Sequence, residues 1–386
     1  MNGGSTRYLS LEICKINEVK KMAHFRKRII SMILTNKCNF KCTYCLADDI
    51  KDGKKKTLDL DFAKQGFDDF FAEQKSRKMR FYAMGEPTTE MKLMKKIHRY
   101  AKDKAGEELC VELQTNGFFP ESTRDWIAQN IDRVWISLDG PPDVMDQARR
   151  TIGGKSVREA IEANIRFLLV HGIGLLGVRP TITNTNLYRQ IEMIEYFHSL
   201  GIVNVWSHHE FSPVGRGRGI LNRSVAAINL LEYAKEAVKA YKRAQELGVF
   251  YRPFLAASFD EECSFACRAC LPAPHLTFDG FVSACDMAFH GDTPLADFIY
   301  GKWDPEEGKI IYFEDKIKKL KSRSLENMPE DCRKCDVACN CAGGCLGEAY
   351  FETGSMFGIR PDHCEAVKYL AHHLPRNQGR YQYEHP

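Results

Sequence analysis

The chain of 386 residues carries 15 cysteines, and they are grouped. Cys38, Cys42 and Cys45 stand together near the start. Cys263, Cys267, Cys270 and Cys285 form a second group, and Cys332 to Cys364 a third, while Cys14 and Cys110 stand alone. Closely spaced thiols in a reducing compartment point to metal rather than to a disulfide framework. The first group, "CNFKCTYC", spells C-x3-C-x2-C. Three thiolates on one loop can hold three irons of a 4Fe–4S cube and leave the fourth open. Structural zinc takes four ligands, so a lone group of three suits it poorly. An open iron can chelate a small molecule through amino and carboxylate groups.

These thiols need elements to hold them. Hydrophobic residues make up 44% and charged residues 27%, ordinary for a globular protein with a sizeable core. The 55 basic against 51 acidic residues give +4, too even for a nucleic-acid binder by bulk charge. The start has no apolar core of signal-peptide length, and no window approaches an uncharged membrane span. The expectation is a cytoplasmic protein with no nucleic-acid or membrane partner.

From about Arg28 to Pro213, short β-rich runs alternate with helical patterns. The strands expected are Ile29–Leu34, Met79–Met84, Leu109–Leu113, Val134–Leu138, Leu175–Ile182 and Val203–Ser207. Ser156 with Glu159 reads as a capping box opening a helix that Gly172 stops. A second helix follows Asn186, with Leu187, Ile191 and Ile194 on one face before Gly201. Such repeated units imply a parallel sheet with helices outside. The distinctive residues come just after the strands: "CNFKCTYC", "GEP" (Gly85–Pro87), "QTNG" (Gln114–Gly117) and "SLDGP" (Ser137–Pro141). Loops at the carboxyl ends of parallel strands converge on one site. The fold class expected is α/β, a partial (β/α)6 TIM-like barrel, with a C-terminal cysteine-rich iron–sulfur domain. The divisions are a 1–27 extension, a 28–225 barrel, a 226–262 helical bridge with a long helix across Ala226–Leu247, a 263–375 metal-organised domain and a 376–386 tail.

The C-x3-C-x2-C motif, Tyr44 before its last cysteine, and its place after a first strand resemble the radical SAM superfamily. That resemblance implies S-adenosylmethionine on the open iron, split by one electron into methionine and a 5′-deoxyadenosyl radical that takes hydrogen from substrate. "MGEP" is similar to the family's GGEP strand end, with Met84 where glycine is usual. It implies that Gly85 and Glu86 meet the methionine moiety, with Tyr44 beside them. "SLDGP" followed by "DVMDQARR" resembles sulfatase-maturing enzymes and peptide maturases. By that match Ser137 and Arg149 hold the cofactor, Arg149 as a donor fork to its carboxylate, with Arg150 next in line. Asp139 and Asn116 are weaker candidates, for the ribose or for turn geometry.

Cys270, nine residues, Gly280, four, then Cys285 precede Cys332-x2-Cys335-x5-Cys341-x3-Cys345 and Cys364. This resembles the SPASM domain, which implies two auxiliary 4Fe–4S clusters and three clusters in all. One would use Cys270, Cys285 and Cys345 with an upstream thiol, Cys267 in preference to Cys263. The other would use Cys332, Cys335, Cys341 and Cys364. Cys339 falls outside the spacing as a spare thiol. Two zinc-ribbon sites are the competing reading. Gly343 and Gly344 would let the backbone turn from one site toward the other. In sulfatase maturases an aspartate at the position of Asp286 is the base that takes a proton from substrate, which here stands against a plain turn cap. "GRGRG" (Gly215–Gly219) reads as a flexible basic loop over the open barrel face that helps to bind an acidic peptide, in preference to a phosphate-cradling loop, because it does not join a strand to a helix in the required way.

The resemblance implies an oxidoreductase and peptide maturase. It would abstract hydrogen from a residue of a ribosomally made peptide or protein, giving oxidation or a thioether or carbon cross-link. The electron donor implied is a reduced flavodoxin or ferredoxin type. A radical dehydrogenase of a small molecule such as a sugar alcohol is the alternative; an iron–sulfur carrier or zinc-ribbon scaffold is the non-enzyme one.

Overall fold

Alternation along short strands sorts the side chains of the first half of the chain into two layers. β1 (Ile30–Met32), β2 (Lys78–Phe81), β3 (Cys110–Thr115), β4 (Arg133–Ile136), β5 (Leu175–Val178), β6 (Thr181–Ile182), β7 (Asn204–His209) and β8 (Phe250–Pro253) lie in one curled sheet. In β3, Val111, Leu113 and Thr115 are buried while Cys110, Glu112 and Gln114 are half-buried. A period of two therefore sends the apolar residues toward the helices and the polar ones inward. Arg80, Glu112 and Arg133 face one another across β2, β3 and β4 by register. The computed structural model describes residues 29–47, 53–82, 84–210, 228–257, 259–260 and 262–376. The 1–27 extension, the "GRGRG" segment, residues 226–227 of the expected long helix and the tail beyond Arg376 lie outside the described residues.

Between the strands run α1 (Leu60–Glu73), α2 (Met91–Ala105), α3 (Glu121–Asn130), α4 (Pro142–Ala148), α5 (Arg158–Val170), α6 (Gln190–Ser199) and α7 (Leu230–Glu246). All pairings from β1 through β8 are parallel, in the order β1-β2-β3-β4-β5-β7, with β6 and β8 both beside β7. The architecture is the expected α/β partial barrel. Three local readings are corrected. The stretch read as a helical bridge contains β8, a further parallel strand that a short run ending in Pro253 concealed. The N-cap of α5 is Val157, and the Ser156 hydroxyl only approaches the Arg158 N–H at 3.5 Å, so no capping box forms. On α6 the buried face is Met193, Ile194 and Phe197, while Ile191 is exposed.

The C-terminal part grows out of the same sheet. β9 (His275–Leu276) pairs with β1 in parallel, and β10 (Phe281–Ser283), β11 (Ile299–Asp304) and β12 (Lys309–Tyr312) continue antiparallel. α8 (Glu314–Lys321), α9 (Glu330–Arg333), α10 (Ala338–Cys341), α11 (Leu346–Thr353) and α12 (Pro361–His373) follow, and α12 packs against α7 of the barrel. Among the described residues no helix is long and apolar enough to cross a membrane.

Candidate active site

The loop after β1 is held from two sides. Glu86 donates its N–H to the Lys37 carbonyl at 2.8 Å, and a Cβ on Gly85 would lie 2.3 Å from the Thr35 carbonyl oxygen and 2.4 Å from that of Lys37. Glycine is thus required there by close backbone approach. On the other side Lys41 donates to the Arg150 carbonyl at 2.9 Å and Thr43 to that of Ala148 at 3.0 Å. The fully buried Glu86 carboxylate accepts from Thr88, from the Thr115 hydroxyl at 2.7 Å and from the Asn116 N–H at 2.8 Å, tying the ends of β2 and β3 together. Burial raises its pKa, and those hydrogen bonds work against the rise. Asn116 donates to Asn39 at 2.6 Å, inside the cysteine loop.

This framework encloses a cavity of about 190 Å³ at the carboxyl ends of the strands. Cys38, Cys42 and Cys45 line it, together with Tyr44, Gly85, Glu86, Ser137 and Arg149. Burial pushes the Cys42 thiol up to about 12, Arg149 pulls it down, and Cys45 and Cys38 add to the rise. Arg149 is buried and spans two partners. Its Nε and Nη2 donate to the Asp139 carboxylate at 2.8 and 3.1 Å, and its Nη1 points to Cys42 Sγ at 3.9 Å. Asp139 also accepts from the Tyr44 hydroxyl and from the Thr181 N–H at 2.9 Å. Arg150, next in the chain, is exposed and turns back to the Asp146 carbonyl. Asp139 therefore fixes the arginine fork, and Asn116 fixes the thiol loop.

The C-terminal thiols fall into two further sets. Cys332, Cys335, Cys341, Cys345 and Cys364 line a cavity of about 110 Å³. Burial raises Cys341 to about 12, and Cys332, Cys364 and Cys335 add to it. Cys267 hydrogen-bonds Cys270 and stands near enough to Cys285 and Cys345 to raise both thiols beyond the larger effect of burial. Cys263 instead accepts the Phe265 N–H at 3.4 Å. Cys339 is disulfide-bonded, which corrects its reading as a spare thiol. Ala342, Gly343 and Gly344 all have positive φ, and a Cβ on Gly344 would meet His363 Nε2 at 2.4 Å. Among the described residues no three His, Cys, Asp or Glu side chains converge on a single-ion site. Thiols spread around a cavity have the donor chemistry and the room that an iron–sulfur cube needs, so the residues present fit such a group.

A third cavity, of about 510 Å³, is lined by residues of the barrel strands and of the C-terminal part. It shares Leu46, Tyr82, Met84, Arg179 and His208 with the first cavity, and Cys267, Cys285 and Cys345 line its far side. Asp286 lies on its wall. Its Oδ1 accepts from Arg268 at 2.6 Å, meets His275 Nε2, and stands 3.5 Å from Arg80. Burial alone would raise this carboxyl; Arg268, His275 and Arg80 outweigh it and hold it well below the usual range. Asp286 is thus an ion-paired carboxylate, not a turn cap.

A family model described as the radical SAM superfamily matches residues 32–209. Residues 32–209 form a radical SAM domain. The family implies S-adenosylmethionine and a 4Fe–4S cluster. An uncharacterized protein of Methanocaldococcus jannaschii is 28% identical over 176 residues, which is 45% of this chain. The chain spans 59% of that relative's length. The serine-type anaerobic sulfatase-maturating enzyme of Bacteroides thetaiotaomicron is 20% identical over 355 residues, 82% of this chain and 81% of that one. A solved structure of native anSMEcpe with bound AdoMet and Kp18Cys peptide superposes with a TM-score of 0.69 at 17% identity, covering 89% of this chain and 96% of that one. At this identity the likeness establishes the fold, and it extends past the radical SAM domain into the cysteine-rich part.

Sequence reasoning missed several residues that line the radical SAM barrel. Arg179 follows β5, and its Nη1 donates to Gln114 Oε1 at 2.7 Å while Nη2 meets His208. Arg80, Tyr82 and His275 surround Asp286, with Arg80 stacked 4.2 Å over the Tyr82 ring. The available signal was position: Arg179 and His208 sit at carboxyl ends of strands, as the recognised motifs do.

Proposed function

We propose that this chain is a radical SAM enzyme that acts on a residue of a ribosomally made peptide or protein. When bound, the cluster and S-adenosylmethionine supply a 5′-deoxyadenosyl radical. Cys38, Cys42 and Cys45 would hold that cluster. Gly85, Glu86, Ser137, Tyr44 and Arg149 would hold the methionine moiety, with Arg149 pre-set by Asp139 so that its remaining N–H groups face the ligand. Cys267, Cys270, Cys285 and Cys345 would hold one auxiliary cluster, and Cys332, Cys335, Cys341 and Cys364 a second. Oxidising a substrate carbon removes a hydrogen atom, a proton and an electron. In this reading the proton goes to Asp286 and the electron to the auxiliary thiol sites. As a base, Asp286 must give up part of its ion pairing, because two guanidinium groups lower its basicity.

One observation carries the reading. The central cavity touches the cofactor cavity at one end and the Cys267–Cys285–Cys345 set at the other. A substrate residue placed there has a hydrogen acceptor on one side and an electron acceptor on the other. The sulfatase-maturating relative and the peptide-bound anSMEcpe structure support a peptide substrate. The test is anaerobic reconstitution with iron and sulfide, then reduction with S-adenosylmethionine. 5′-Deoxyadenosine and about twelve irons per chain are expected; no 5′-deoxyadenosine would sink the reading, and about four irons would remove the auxiliary clusters. Candidate peptides followed by mass spectrometry then report the bond made. Unimpaired oxidation by Asp286→Asn would exclude Asp286 as the proton acceptor.

A further inference from the structure

The central cavity is strongly cationic. Lys78, Arg80, Arg133, Arg179 and Arg268 line it, against the carboxylates of Glu112 and Asp286. Both carboxylates are already engaged: Asp286 by Arg268 and Arg80, and Glu112 by Arg80 at 3.6 Å. Among the described residues the partners of Arg179 are uncharged, the Gln114 amide and the His208 ring, whose protonation burial opposes. Among the described residues Arg179 forms no ion pair, whereas Arg133 has Glu112 opposite it by register. A partly desolvated guanidinium without a counter-charge is costly, and a planar carboxylate is the group its fork fits.

We propose that this cavity selects a substrate peptide bearing a carboxylate beside the residue to be modified, and that Arg179 receives that carboxylate. The inference rests on the peptide-modifying reading above and adds to it the chemistry of the flanking position. Arg179 lines both cavities, so a carboxylate held there sits at the junction where the reacting residue must lie. Trp206 and Phe254 supply apolar wall for the neighbouring side chain, and a volume of about 510 Å³ takes a short inserted segment rather than a folded domain. The acidic group can be a side chain or the peptide's own C-terminus.

The experiment uses holoenzyme with S-adenosylmethionine under anaerobic conditions and three fluorescein-labelled pentapeptides. These are Ala-Ala-Cys-Glu-Ala as the amide, Ala-Ala-Cys-Ala-Ala as the free acid, and Ala-Ala-Cys-Gln-Ala as the amide. Fluorescence anisotropy should show at least one acidic peptide binding about 10-fold or more tighter than the neutral one, as a charged hydrogen-bonded pair gives. Which of the two acids prevails tells side chain from C-terminus. Arg179→Gln should reduce the preference with iron content unchanged, and Arg133→Gln, at the opposite end of the strands, should leave it in place. Equal binding, or no binding by any of the three, overturns the proposal. So does an Arg179→Gln variant that weakens S-adenosylmethionine binding and keeps the peptide preference, because Arg179 then serves the cofactor. Loss of the functional reading is separable: it is an absence of 5′-deoxyadenosine, whatever the peptide preference.

Discussion

Asp139 accepts hydrogen bonds from Arg149, Tyr44 and Thr181, and each donor comes from a different element of the barrel rim. Asp139→Ala leaves the Arg149 guanidinium buried without its carboxylate. Breaking such a pair costs about 3–5 kcal/mol, so urea unfolding should show a large loss of stability, with Asp139→Asn losing less. The second residue to test is Glu348, in α11, buried between His209 at 2.6 Å and Arg360 at 2.9 Å. Burial would raise its pKa, but His209, His363 and Arg360 bring it down to about 2. A depressed carboxyl contributes stability above its unfolded pKa and loses it as pH falls. The loss should therefore run from about pH 4.5 to about pH 2, on the order of 3 kcal/mol in total. Urea titrations of cluster-free protein across that window check it, and Glu348→Gln should flatten that part of the curve. At this scale the sequence was legible wherever spacing within one loop carried the chemistry, as for Cys38, Cys42 and Cys45. It was not legible where partners come from separate loops. Asp139 was weighed for a ribose or a turn, yet it holds Arg149, and the cage of Arg80, Arg268 and His275 around Asp286 spans three elements.

Among the elements, the junction of β2 and the thiol loop is the least tolerant. Gly85→Ala puts a methyl group against two backbone carbonyl oxygens, those of Thr35 and Lys37, and the Glu86 N–H holds the second in place. Overpacking of this kind costs roughly 1–3 kcal/mol. The first measurable effect should be at the thiol loop, as iron content after reconstitution lowered by about a third if the auxiliary clusters load normally. A variant that loads fully and melts with wild type would contradict this. The strands with clear period-two patterns were readable, because one face meets helices and the other the polar interior. β8 was hidden because its four residues follow a long helix and end in proline. β9 was hidden because two residues are too few to show any period, and what defines it is its pairing with β1, more than 240 residues earlier in the chain. The capping box failed because Val157, one residue on from Ser156, became the cap.

For the whole molecule, the decisive feature is that β1 is flanked by β2 and β9 at once. Removing everything after residue 262 strips β1 of the carbonyls of Pro274 and Leu276, which accept from Ser31 at 2.8 Å and Ile33 at 2.9 Å. That leaves an apolar strand with an open edge, the template for aggregation. A fragment ending at 262 should elute as aggregate in size-exclusion chromatography, where the full chain does not. The division into barrel and metal-organised domain, legible from the shift in composition, is therefore a division of chemistry rather than of the sheet. It follows that the C-terminal part is not a transplantable module. A chimera that joins this half to another enzyme's barrel inherits a foreign β1, and the graft succeeds only if that strand offers the same register to His275 and Leu276.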